Sequence, residues 1–154
     1  MLKNKGILGN FFISYYLEYL CRKTRKMEEF RVIITGCWNF TDYELLCQKC
    51  DRMLSEKVKT HRIIVVDGHE KGADALGEKY AMERKFGLEK YPADRSRGFL
   101  ASTIRNEQMA KVADALIVFW DGRFRETRNM IDFANLKGIP VKVVRIDDVS
   151  AKDS

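Results

Sequence analysis

The sequence predicts an α/β domain with three layers, in which helices cover both faces of a mainly parallel five-stranded sheet. Short runs of β-branched and other apolar residues alternate along the chain with longer stretches of helical periodicity, as repeated strand–helix units require. Two of these runs, IIVV at 63–66 and LIVF at 116–119, are apolar at every position, which indicates strands buried on both faces. The 154 residues are enough for one such domain with one sizeable core.

The individual elements are placed from the residues that bound them. Thr41 and Glu44 match a capping box at the start of the first helix after strand one. Gly87 and Gly138 are expected to stop the second and fourth of these helices. The predicted strands are 31–35, 62–67, 88–92, 115–120 and 141–146, and the predicted helices are 41–56, 73–86, 103–113 and 127–137. This alternation is that of a Rossmann-like domain.

Residues 1–30 differ in composition from the rest of the chain and are predicted to form a basic, aromatic helical extension. The run 7–20 is apolar and aromatic, but it is shorter than a bilayer span and carries Asn10 and Glu18. Four interpretations remain open: a helix lying on a membrane surface, a helix docked on the domain or a partner, a disordered stretch, and a stretch included by an upstream start before Met27. The Rossmann-like domain then covers 31–147, and 148–154 form a tail.

The net charge of the chain is concentrated in residues 1–26. The whole chain has 28 Lys and Arg against 22 Asp and Glu, a formal charge of +6 with a pI near 9.2. Residues 1–26 hold six basic residues and Glu18, so they carry +5 and the remainder carries +1. Peripheral membrane contact is therefore expected only through residues 1–26, and bulk charge is a weak argument for nucleic acid. The 45% of hydrophobic residues excludes a disordered polyelectrolyte.

The four cysteines predict neither a disulfide framework nor a metal centre. Without an export signal, Cys21 and Cys37 are expected to be reduced in the cytoplasm. Cys47 and Cys50 have CxxC spacing but fall inside a predicted helix, whereas a reactive pair favours a helix N-terminus. The two histidines, at 61 and 69, lack paired spacing. We predict no metal and no cofactor.

Strand-to-helix loops are where a ligand site is expected. Right-handed crossovers bring all of these loops to the carboxyl edge of a parallel sheet, where open α/β folds bind ligands. In this chain they are 36–40, 68–72, 93–102 and 121–126.

The loops also carry motifs in a recognisable order. They are TGCWNF at 35–40, GAD at 72–74, YPAD at 91–94, IRN at 104–106, ADALI at 113–117 and FWDG at 119–122. With this series, residues 31–147 resemble the YspA-type family of the SLOG superfamily, Rossmann-like proteins related to DprA and to the LOG phosphoribohydrolases. The resemblance implies recognition of a nucleotide or a nucleotide-derived small molecule at the carboxyl edge.

The ligand-binding residues that this resemblance implies come from all four loops. Asp74 would accept hydrogen bonds from a ribose or base, Arg105 would face phosphate, and Asn106 a base edge or sugar. Thr127 would cap its helix and hydrogen-bond a phosphate. The alternative is that the glycines serve only as turn residues, and Asp74 and Thr127 only as helix caps. The full predicted set is Gly36, Trp38, Asn39, Gly68, Gly72, Asp74, Arg105, Asn106, Asp121, Gly122 and Thr127.

Several positions depart from the family pattern, and each departure bears on anion binding. Trp38 stands where the family usually has arginine, DGHE at 67–70 replaces a Ser-Gly-Gly-Ala-like run, and Phe99–Leu100 replaces a Gly-Lys loop. Glu126 stands directly before Thr127, at the position where the family usually has glycine. Carboxylates at helix N-termini compete with phosphate. The hypothesis is a pocket that keeps its shape but has weakened phosphate recognition.

Three functions are considered. The first is a nucleotide-binding module or sensor; its oligomeric state is left open. Hydrolysis of the LOG type is not expected, because the glutamate three residues beyond the threonine is Met130 here. The second is a single-stranded nucleic-acid binder of DprA type, in which a groove with cations and aromatic rings would bind the strand. The residues that could form this groove are Arg95, Arg97, Phe99, Arg105, Arg123, Phe124 and Arg125. The third is an interaction domain whose ligand site has decayed.

Overall fold

A computed structural model describes residues 5–24 and 26–146, so the predicted tail lies outside the described residues. Its sheet confirms the predicted α/β class, with five strands that are all parallel in the order β3-β2-β1-β4-β5. The strands are β1 (Glu28–Gly36), β2 (His61–Asp67), β3 (Gly87–Lys90), β4 (Ala115–Trp120) and β5 (Val141–Arg145).

Helices cover both faces of this sheet. Two 3₁₀ segments, Lys57–Lys59 and Arg95–Leu100, lie in the connections. The helices α2 and α3 pack on one face, and α4 and α5 on the other. The α-helices are α1 (Lys5–Thr24), α2 (Tyr43–Leu54), α3 (Ala73–Glu83), α4 (Ala101–Val112) and α5 (Arg125–Lys137).

The core forms two layers because successive residues of a strand point to opposite faces. Val32 and Ile34 of β1 pack under α2 and α3, while Ile33 packs under α4 and α5. All three side chains are fully buried. Burying each such side chain contributes about 1.5–3 kcal/mol, so the central strand anchors both layers.

The structure corrects the predicted start of α2. The helix begins at Tyr43, and the carboxylate of Asp42, rather than the hydroxyl of Thr41, accepts a hydrogen bond from the Leu45 amide at 2.9 Å. Asp42 directly precedes the first helical residue, which puts its carboxylate within reach of the third amide. An ionised carboxylate is also favoured by the positive end of the helix dipole. The predicted capping box is therefore wrong.

The predicted stop of α3 is wrong as well. The helix ends at Glu83, and Lys85 takes the left-handed conformation at φ 56°. The amides of Lys85 and Phe86 donate to the carbonyls of Met82 and Ala81, the paired bonds of a Schellman motif. Gly87 instead begins β3. The end of α5 is as predicted, with Gly138 at φ 72°.

Helix α1 precedes the sheet and presents large apolar side chains to solvent. Phe11, Phe12, Tyr15 and Tyr16 are all more than half exposed. Among the helices of the described residues, none combines the length and the apolar character that crossing a bilayer needs. Contact of residues 1–26 with a membrane surface stays a prediction, and residues 1–4 and 25 lie outside the described residues.

Cys47 and Cys50 lie within α2, as predicted, away from its N-terminus. Burial raises the pKa of the Cys50 thiol to about 12. A reactive cysteine requires the opposite shift, so the CxxC spacing here reflects an ordinary buried helix face.

Candidate functional site

The candidate site is a crevice between the ends of β1 and β4. These two neighbouring strands lie where the strand order reverses, since the chain runs outward to β3 on one side and to β5 on the other. The helices that follow β1 and β4 therefore leave the sheet on opposite faces, and the loops diverge. The crevice opens between them.

Side chains from all four predicted loop regions or the helices that follow them line this pocket. Trp38 comes from the loop after β1, Asp74 from the start of α3, and Arg105 and Asn106 from α4. The fourth region contributes the first turns of α5. The complete lining is Thr35, Gly36, Trp38, Glu70, Lys71, Asp74, Arg105, Asn106, Phe124, Glu126, Thr127 and Met130.

Asp74 lies at the floor of the pocket and is almost completely buried. One carboxylate oxygen accepts the Thr35 hydroxyl at 2.5 Å, and the other accepts the amides of Gly68 and Glu70 at 3.2 and 3.4 Å. Burial raises the pKa of Asp74, although the Thr35 hydroxyl and the charge of Arg105 oppose this shift. Asp74 thus holds the loop after β2 in place.

Arg105 is the buried cation of the pocket, with a side chain only 5% exposed. Its Nη1 donates to the Gly68 carbonyl at 2.6 Å and its Nε to Oδ1 of Asn106 at 3.0 Å. The carboxylate of Glu70 lies 3.6 Å from Nη1. The same carboxylate receives a hydrogen bond from the exposed Arg95 at 2.6 Å. Glu70 is therefore held between two arginines.

The α5 side of the pocket is fixed by Asn106. Its Nδ2 donates to the Glu126 carbonyl at 3.2 Å and to Oδ1 of Asn129 at 3.0 Å. Thr127 is the third residue of α5 rather than its cap, because the helix begins at Arg125, and its side chain is buried. The predicted capping role of Thr127 is wrong. Met130, one turn further on, is 1% exposed.

Some predicted residues do not line the pocket. Asn39 is exposed beside it. Asp121 turns back on its own loop and accepts the amides of Arg123 and Phe124 at 2.8 and 2.9 Å. Partial burial opposes ionisation of Asp121, but these amide hydrogen bonds prevail and hold its pKa below the usual range. Gly122 contacts the Arg145 guanidinium instead.

Gly68 and Gly72 are also absent from the lining, but they shape the loop that forms it. A Cβ at Gly72, which has φ 74°, would collide with the backbone of Cys37 and Trp38. This close approach lets the Ala73 amide donate to the Cys37 carbonyl at 3.2 Å. Two walls of the pocket are joined at this point.

The pocket is small, and some of its lining residues were not predicted from the sequence. Its volume is about 50 Å³, whereas ordinary ligand pockets begin at roughly 300 Å³. Thr35 and Lys71 line the pocket but were not among the predicted ligand-binding residues. Each directly precedes a predicted glycine, and this position in the sequence could have indicated them. A ligand of ordinary size could enter only if exposed side chains at the mouth changed position, among them Trp38, which is 60% exposed.

Potential metal ligands occur elsewhere on the same loop. Within residues 5–24 and 26–146, Asp67, His69 and Glu78 bring possible ligand atoms within 4.8 Å of one another. None of the three lines the crevice. Histidine spacing does not reveal this group, because the partners of His69 are carboxylates and Glu78 lies nine residues further along the chain.

Comparisons with known proteins agree with the fold and with the motifs. Residues 30–98 match the model of a family described as YspA, cpYpsA-related SLOG, which confirms the resemblance drawn from the motifs. The X-ray structure of TM1055, a Northeast Structural Genomics Consortium target, is similar with a TM-score of 0.54 and 21% identity, covering 75% of this chain and 72% of that one. At this identity the similarity supports the Rossmann-like fold alone. No curated protein matches the sequence.

Proposed function

We propose that this chain, whose residues 30–98 match the model of the YspA, cpYpsA-related SLOG family, binds a nucleotide-derived small molecule of low negative charge at the carboxyl edge of its sheet. The position of the pocket supports this proposal. Open α/β sheets bind their ligands where the strand order reverses, and the crevice between β1 and β4 lies there.

The observation that carries the low-charge part of the proposal is the placement of Glu70. Its carboxylate lies between the guanidinium groups of Arg95 and Arg105, the position that the phosphate of a ligand would otherwise take. The pocket thus supplies its own anion. A phosphorylated ligand would have to displace Glu70 or share both arginines with it, which lowers its affinity.

The remaining lining groups suit a nucleoside. Trp38 is exposed at the mouth and offers a flat face on which a base can stack. Lys71 lies beside it in the lining and supplies a donor. Met130 occupies the position of the LOG glutamate and is buried, so the pocket lacks the carboxylate that hydrolysis of that kind uses. Binding without turnover is the function we infer.

Replacing Glu70 by glutamine should increase the affinity for nucleoside monophosphates about tenfold. Removing one negative charge at about 4–5 Å from a bound phosphate is worth roughly 1–2 kcal/mol at a partly screened site. The measurement is calorimetric titration of the full chain with adenosine, guanosine, cytidine and uridine and with their 5′-monophosphates. In the wild type, we expect a nucleoside to bind at least as tightly as its monophosphate.

Glu107→Gln is the matched control for this substitution. Glu107 pairs with Lys111 on the exposed part of α4, so its replacement makes the same change in net charge away from the pocket. Equal gains in both variants would trace the effect to bulk charge. Tight binding of monophosphates by the wild type, with no gain in Glu70→Gln, would refute the low-charge proposal.

A second candidate function is binding of single-stranded nucleic acid. Phe99 is 93% exposed in the loop before α4, and it lines a surface pocket together with Arg125 of α5. An exposed ring next to a cation is the arrangement on which a base stacks. Of the cations predicted for this groove, Arg95 and Arg97 are paired with Glu70 and Asp94.

Phe99→Ala should weaken binding of a single-stranded oligonucleotide about tenfold, because loss of one stacked base costs roughly 1–3 kcal/mol. Fluorescence anisotropy at several salt concentrations measures this effect. Leu136→Ala is the control, since Leu136 is 81% exposed on α5 and should leave the affinity unchanged. Absence of binding by the wild type at low salt would eliminate this candidate.

A further inference from the structure

A second group of polar side chains, outside the crevice, surrounds the start of the loop after β2. Asp67 is the last residue of β2, His69 lies in the loop, and Glu78 lies on α3. The imidazole Nδ1 of His69 is 2.7 Å from Oε1 of Glu78. One ligand atom from each of the three residues lies within 4.8 Å of the other two.

The carboxylate of Asp67 is buried and only partly hydrogen-bonded. Its side chain is completely buried, and while Oδ1 accepts the His69 amide at 2.6 Å, Oδ2 has no hydrogen-bond partner. Leaving a buried carboxylate oxygen unpaired is costly, and a cation at this point would remove that cost.

We propose that Asp67, His69 and Glu78 bind a divalent metal ion of the zinc type. Two carboxylate oxygens and one imidazole nitrogen are ligands that Zn²⁺ accepts at about 2.0–2.2 Å, and three protein ligands leave one position for water. The buried Asp67 provides a fixed ligand. His69 is about half exposed, so its ring can turn to meet the ion.

The geometry needs only small movements. Ligand atoms around a tetrahedral ion of this size are about 3.4 Å apart. The His69–Glu78 pair at 2.7 Å therefore opens by less than 1 Å, while the widest separation in the group, up to 4.8 Å, closes. Rotations of the His69 and Glu78 side chains supply both changes.

Lys90 now provides the positive charge at this place. Its Nζ lies 3.2 Å from Oε2 of Glu78. Lys90 is 44% exposed at the end of β3 and can move into solvent. Lys90→Met, which removes this competing cation, should tighten metal binding.

Titration of the full chain with Zn²⁺ in a calorimeter tests the proposal. We expect one equivalent to bind in the wild type, and His69→Asn to weaken this binding at least about tenfold, because it removes a direct ligand. Asparagine is chosen because His69 has φ 56°, a conformation that asparagine tolerates. His61→Asn is the matched control, since His61 lies at the opposite end of β2, and it should bind as the wild type does.

Two further readouts keep the test independent of the cysteines and of folding. Absorption of the Co²⁺-loaded protein should show oxygen and nitrogen ligation; thiolate charge-transfer bands that persist in His69→Asn would overturn the proposal. Zn²⁺ should raise the melting temperature of the wild type but not of Asp67→Asn. An equal rise in the wild type, Asp67→Asn and His69→Asn would likewise overturn it.

Discussion

Replacing Arg105 by methionine is expected to lower the free energy of unfolding by about 3–5 kcal/mol, the largest effect of any single side chain in the site. The buried guanidinium lies 3.6 Å from the carboxylate of Glu70, donates to the Gly68 carbonyl and acts through its charge on the buried Asp74. Methionine has a similar length but no charge, so it would leave buried acceptors and a buried carboxylate uncompensated. Urea unfolding followed by circular dichroism gives the value.

Arg95→Met is the control for this prediction. Arg95 binds the same carboxylate of Glu70, at 2.6 Å, but its side chain is 68% exposed, and exposed ion pairs contribute about 0–1 kcal/mol. The difference between the two variants measures the effect of burial on one shared partner. Equal losses in Arg95→Met and Arg105→Met would show that Arg105 does not hold the pocket floor together.

Gly72→Ala is expected to lower the free energy of unfolding by more than about 3 kcal/mol. Two penalties act together: the combination of φ 74° and ψ −126°, a backbone conformation that residues with a Cβ strongly disfavour, and a collision of the new Cβ with the backbone of Cys37 and Trp38. Backbone atoms of a neighbouring loop cannot yield as a flexible side chain can. The loop after β1 would have to separate from the start of α3.

Gly138→Ala is the comparison at a left-handed position without such a collision. Gly138 has φ 72° and ψ 18°, the ordinary left-handed helical conformation, and a Cβ there would meet no atom within 4 Å. We therefore expect a loss of only about 1 kcal/mol at this position. Similar losses in Gly72→Ala and Gly138→Ala, measured by chemical unfolding, would contradict the inferred contact between the two loops. Loss of nucleoside binding in Gly72→Ala alone would connect that contact with the pocket.

Much of the fold could be predicted from the sequence because the strands are marked by their own composition. IIVV and LIVF are apolar at every position, and only strands buried on both faces suit such runs. The convergence of four loops on one edge then follows from parallel topology, whereas the strand order β3-β2-β1-β4-β5 is known only from the structure. The predictions failed at two helix ends. Local hydrogen bonds make Asp42, rather than Thr41, the N-cap of α2, and they end α3 at a turn through Lys85 rather than at Gly87.

The candidate site was predictable in place but not in its internal pairings. Asp74, Arg105 and Asn106 were placed at one edge by the loops that carry them. Arg105 faces the carboxylate of Glu70, which lies 35 positions earlier in the chain. Sequence spacing does not show that two residues so far apart along the chain are in contact. The same holds for Glu78, which meets His69 only because α3 folds back over the end of β2.

The reversal of strand order between β1 and β4 has a consequence for how this pocket can change. The opening lies where two helices leave the sheet on opposite faces, so its place in the fold is set by the strand order. The charge at the opening, in contrast, depends on single side chains such as Glu70 and Glu126. Substitutions can therefore change the charge of this pocket without changing its position in the fold.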